Sequence, residues 1–116
     1  MGYREEGSFF YYLALLIGMT LVGAYFWYIL DTPLTNTVSH LMLFLSGVLL
    51  VVSTMGLGYA NTRSGRIGLT AMSGIFAGVH GYLDITVFPL LTGIILFAWI
   101  AFGLMLAFAA FAWLKE

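Results

Sequence analysis

His80 and Asp84 stand four residues apart in the stretch "GVHGYLDITVFP", residues 78–89, of a chain that has few ionisable groups elsewhere. On a helix that spacing puts imidazole and carboxylate on one face, close enough to interact. The only other histidine is His40. Three readings are open for His40, His80 and Asp84. His80 and Asp84 hydrogen-bond one another, orient the helix end and form a polar contact with a neighbouring subunit. Alternatively, the three form a two-histidine, one-carboxylate metal site, suited to a borderline transition metal, or the two histidines grip a haem, which needs them on facing helices at matched depth. In the third, they belong to a proton or substrate path, as intramembrane ionisable groups often do. The choice turns on which elements carry them and how deep they lie.

Those elements belong in a bilayer. Of 116 residues, 62% are hydrophobic and 8% charged, with a mean hydropathy of +1.04, whereas a soluble domain carries about 25% charged residues. The chain has no cysteine, which removes disulfides, thiolate metal sites and thiol-redox chemistry. A net charge of -1 offers no basic surface for nucleic acid and no polybasic patch for anionic lipid. The start, "MGYREEGS", has one arginine against two glutamates and reads as the lead-in to an uncleaved first span.

A helix that crosses the hydrocarbon core needs about 20 apolar residues, and the runs here predict four: residues 8–30, 38–59, 67–84 and 90–114. "DTPLTNT" and "NTRSGR" punctuate the first three, and Pro89 suits the start of the fourth. The expected fold is an all-α integral membrane four-helix bundle forming one transmembrane domain. Four crossings gather Arg4, Arg63, Arg66 and Lys115 on one side and leave Asp31 and Asp84 on the other. The positive-inside rule then places both termini in the cytoplasm of a multi-pass cell-membrane protein. His80 is expected about 10 Å below the outer edge of a core about 30 Å thick, with Asp84 near the interface.

The third helix should have distinct faces. At about 100° per residue, Gly74, Gly78 and Gly81 share a side with Ile67, Thr70 and Ala71, and Gly74 to Gly78 is a GxxxG step that permits close helix packing. Ser73, His80 and Asp84 line up about 100° further round. The expectation is a helix covered on both sides. Tyr25 to Tyr28, "YFWY", and the aromatics from Phe9 to Tyr12 read as interfacial belts. The fourth span reads as a packing or lipid-facing helix.

An enzyme acting alone is not indicated, because no nucleophile and base arrangement, phosphate loop or cluster of paired carboxylates is present. A small four-helix transporter matches in size but lacks a carboxylate in the first span. The opening "YREEGSFF" and the stretch "GYANTRSGRIGLTAMSGIFAG", with the chain's size and four spans, resemble the small accessory X subunits associated with archaeal ammonia monooxygenase. That resemblance implies a non-catalytic subunit of a copper-dependent complex that oxidises ammonia to hydroxylamine in nitrification. Such a complex is similar to particulate methane monooxygenase, a trimer of protomers. Copper and catalysis would lie with the larger A, B and C subunits, and this chain would bind no cofactor of its own. Its partners would be those subunits and lipid. The alternative is an accessory subunit of a respiratory oxidase complex.

Overall fold

The computed structural model describes residues 3–31 and 37–115. The first expected loop, with Pro33, lies outside the described residues. Among the described residues there are four α-helices and no strand: α1 (Tyr3–Asp31), α2 (Thr37–Tyr59), α3 (Arg63–Val87) and α4 (Thr92–Leu114). They form a bundle 48 × 23 × 19 Å in extent, long enough to cross a hydrocarbon core of about 30 Å.

The helix ends follow from local chemistry. Thr62 caps α3 by accepting a 3.0 Å hydrogen bond from the Gly65 amide, which satisfies one of the amides left open in a first turn. At the other end Phe88 N–H donates to Asp84 O at 2.8 Å. Pro89 has no N–H with which to continue the ladder. A single 3-10 turn, Pro89–Leu91, then leads directly into α4. The corner is closed by Leu91 N–H donating to Phe88 O and by Thr92 Oγ1 donating to Pro89 O.

α1 packs most extensively on α4 and α2 on α3, while α3 also meets α4. Along the α1–α4 seam Ala14, Phe102, Leu106 and Ala109 are buried, and a Cβ on Gly18 would come within 2.7 Å of the Phe102 ring. The Ala14 and Gly18 step lets α4 lie close against α1. Elsewhere large apolar side chains face outward, among them Leu16, Val52, Ile75 and Phe97. A helix surface of that kind suits lipid, since it gains nothing by facing water.

Among the described residues, three stretches are long and apolar enough to cross a membrane: Gly7–Tyr28, His40–Tyr59 and Pro89–Leu114. α3 is not among them, which departs from the four expected from the sequence. Its 25 residues suffice in length, but arginines, hydroxyl side chains, His80, Asp84 and several glycines occupy positions that leucine or isoleucine fill in the other helices. Its buried face consists of Ser73, Ala77, His80, Gly81, Leu83 and Asp84. α3 therefore belongs to the bundle through polar packing against its neighbours more than through its own hydropathy.

Arg63, Arg66 and Lys115 gather where α4 ends and α3 begins. Arg63 Nη2 donates to Leu114 O at 3.1 Å, and the Arg66 guanidinium lies 5.3 Å from the Trp113 ring centroid. Trp113 also meets Tyr11 from the first turns of α1, with centroids 5.8 Å apart. This terminal end of the bundle thus holds the start of α1 and the close of α4. His40 and Asp84 lie at the distal end.

Candidate functional site

His80 and Asp84 face the interior of the bundle. His80 is fully buried and Asp84 is 4% exposed, so their environment is made by residues of other helices. From α2, Ser46 Oγ lies 3.0 Å from His80 Nδ1 and donates to Leu43 O at 3.1 Å. A serine hydroxyl has one proton to give. Which ring nitrogen of His80 carries the proton follows from whether that hydroxyl turns to Leu43 O or to Nδ1. From α4, Trp99 Nε1 donates to Asp84 Oδ2 at 3.2 Å. His80 Nε2 stands 3.7 Å from that same oxygen, beyond hydrogen-bonding reach. His80 Nε2 and Asp84 Oδ1 are both buried without a hydrogen-bond partner.

Tyr25 of α1 closes the cluster. Its hydroxyl lies 3.0 Å from His40 Nδ1 and donates to His40 O at 3.1 Å. Its ring stacks on His40 with planes 14° apart and meets His80 edge-on at 5.9 Å between centroids. Trp99 approaches His80 edge-on from the opposite helix, at 5.6 Å. The close fit needs glycine on both sides: a Cβ on Gly47 would sit 3.2 Å from His80 Cε1, and one on Gly81 would sit 2.9 Å from Trp99 Cδ1.

The metal reading of His40, His80 and Asp84 does not gain from this geometry. His40 is engaged by Tyr25, whose ring packs against both imidazoles. Among the described residues no group of three histidine, aspartate or glutamate side chains could hold a metal ion. The glycines also separate. Gly81 is buried against Trp99, whereas a Cβ added at Gly74 or Gly78 would meet nothing within 4 Å. The GxxxG step points out of the bundle and is left uncovered by the described residues.

A second buried polar cluster lies nearer the terminal end. Tyr11 donates its hydroxyl to Thr54 O at 2.7 Å, Thr54 Oγ1 donates to Ser73 Oγ at 3.1 Å, and Ser73 Oγ donates to Ser53 Oγ at 3.3 Å. Ser53 Oγ closes the relay on Leu49 O at 2.8 Å. Each proton has an acceptor, and three helices are joined.

Sequence reasoning singled out Ser73, His80 and Asp84 but not Tyr25, Ser46 and Trp99. Tyr25 was expected in an interfacial belt and is instead 2% exposed, whereas Trp27, two residues on, is 72% exposed. Trp99 sits on a helix expected only to pack or face lipid. The available signal was on α2, where His40, Leu43, Gly47, Leu50, Thr54 and Leu57 recur at three- and four-residue steps. That spacing marks one helix face, and Ser46 and Ser53 border it.

Comparison of the chain with protein-family models, curated proteins and solved structures returns no match.

Proposed function

We propose that this chain is a non-catalytic accessory subunit of a larger complex in the cell membrane. The observation that carries the reading is the outward face of α3. This helix falls short of the hydropathy of its three neighbours, yet it exposes Ala71, Gly74 and Gly78 along one ridge, with open space at both glycines. In lipid, helices associate through close backbone approach and polar contacts. A ridge of this kind fits a helix of another chain better than acyl chains. The resemblance to the X subunits of archaeal ammonia monooxygenase names the complex: this chain would pack against the larger A, B and C subunits, which would hold copper and oxidise ammonia to hydroxylamine in a trimer of protomers. Both termini would be cytoplasmic, because Arg63, Arg66 and Lys115 share the terminal end with the turn of α1 that carries Arg4.

Native purification followed by identification of the co-migrating chains tests the proposal. The expected result is co-purification with larger membrane subunits that is lost in a Gly74→Leu, Gly78→Leu double variant, while the helicity of the isolated chain is unchanged. A chain that runs alone, or a double variant that keeps every partner, sinks the proposal. A C-terminal reporter that reads on the outer side would reverse the orientation.

A further inference from the structure

A cleft of about 310 Å³ opens between the start of α3 and the end of α4, lined by Asn61, Arg63, Arg66, Ile67, Ala110 and Trp113 among others. Its volume falls within the range of about 300–1,000 Å³ typical of small-molecule sites. Both arginine side chains reach across it from α3 to α4. Arg63 Nη2 donates to Leu114 O at 3.1 Å, and the Arg66 guanidinium stands 5.3 Å from the centre of the Trp113 ring. Arg66 is also tied to the end of α2, where its Nε donates to Ala60 O at 3.4 Å. Among the described residues, no aspartate or glutamate lines the cleft.

We propose that this cleft binds the head group of an anionic phospholipid, its phosphodiester on Arg63 and Arg66 and the upper part of an acyl chain against Ile67 and Ala110. Three observations converge on that chemistry. The first is charge. The chain has too few cations for a polybasic surface, yet two of its guanidinium groups share one recess. A guanidinium carries five N–H donors in a planar fork that matches phosphate oxygens, and the bond to Leu114 O takes one of those on Arg63. The second is depth. The apolar stretch of α2 ends at Tyr59 and that of α4 at Leu114, so Asn61 and Arg63 stand at the level of lipid head groups, beside a tryptophan of the kind that gathers there. The third is direction. Ile67 lies one turn further along α3 than Arg63, and Ala110 one turn before Leu114, so both are about 6 Å deeper in the bundle. The recess passes from charged to apolar along the helix axes, as a phospholipid does along its length. A soluble anion matches the arginines but not the apolar wall below them. The isolated chain carries the whole site, so the proposal stands apart from the subunit reading.

The test is native mass spectrometry of the full chain, released from neutral detergent micelles after titration with dioleoyl phosphatidylglycerol or, separately, dioleoyl phosphatidylcholine. The two lipids share acyl chains and a phosphodiester, and only the first has a net negative head group. The expected result is saturable retention of phosphatidylglycerol, with an apparent affinity about tenfold or more above that of phosphatidylcholine, as two basic side chains at an anionic lipid provide. Inorganic phosphate in large excess should leave the lipid bound. An Arg63→Gln, Arg66→Gln double variant should erase the preference. Ala110→Phe fills the recess while keeping both arginines, and should erase it as well. Lys115→Gln, at the same end of the bundle but outside the cleft lining, should keep it. Circular dichroism checks that each variant is folded, and Ala110→Phe carries the test if the double variant is not. Equal retention of the two lipids overturns the proposal, as does retention of neither. Displacement by inorganic phosphate would assign the arginines to a soluble anion and overturn it too. So would a preference that survives Ala110→Phe or the double variant, or one that is lost in Lys115→Gln, since the attraction would then belong to the charged end as a whole.

Discussion

The two buried polar clusters of this bundle are built from similar parts and finished differently. Near the terminal end, Tyr11, Thr54, Ser73 and Ser53 pass hydrogen bonds from α1 through α2 and α3 to a carbonyl, and no proton is left over. At the distal end, His80 and Asp84 each keep one buried atom without a partner. Neutral hydroxyls both give and accept, so a relay of them closes on itself. An imidazole has one N–H when neutral and a carboxylate has none, so their closure depends on where that single proton sits. The first arrangement joins helices through closed hydrogen bonds, and the second leaves two buried polar atoms unpaired.

The comparison breaks most readily at Gly47. Gly47→Leu drives a side chain into His80 and Val22 and should destabilise the bundle by about 3 kcal/mol, measured by SDS unfolding in mixed micelles. Gly74→Leu should leave unfolding of the isolated chain unchanged, because that glycine faces open space. Trp99→Phe removes the indole donor to the Asp84 carboxyl group and should cost about 2 kcal/mol, in the range for a hydrogen bond to a charged group. Asp84→Asn has the opposite sign. It keeps an acceptor for Trp99 and removes a buried carboxylate, and should stabilise the isolated chain by about 1 kcal/mol. Stabilisation there would mark the distal cluster as one that the fold keeps at a cost in stability. Destabilisation would make it a structural cluster like the other. Ser73→Ala should have the smallest effect, about 0.6 kcal/mol, because hydrogen bonds between helices in lipid are modest on average.

Much of the architecture was legible in the sequence. Long uncharged runs between turn-forming stretches specify helices, and the 100° spacing puts Ser73, His80 and Asp84 on the side of α3 that is buried. What surrounds those residues was not legible. Ser46 and Trp99 reach His80 and Asp84 from helices far off in the chain, and nothing local marks them as polar partners. Hydropathy also assigns Tyr25 and Trp27 to the same belt, although two residues turn a helix by about 200° and send one inward and the other outward. The glycine pattern told where α3 could be approached closely but not by what: Trp99 fills the space at Gly81, and none of the described residues fills it at Gly74 and Gly78.

The corner at Phe88 and Pro89 bears on how the chain enters the bilayer during synthesis. α3 is too polar to partition into lipid readily by itself, whereas α4, joined to it through one 3-10 turn, is long and strongly apolar. The two should leave the translocation channel as a hairpin, with α4 drawing α3 in after it. A chain truncated at Val87 should then leave α3 on the cytoplasmic side, so that a glycosylation acceptor appended at its end stays unmodified. Efficient insertion of the truncated chain would show that α3 needs no such escort.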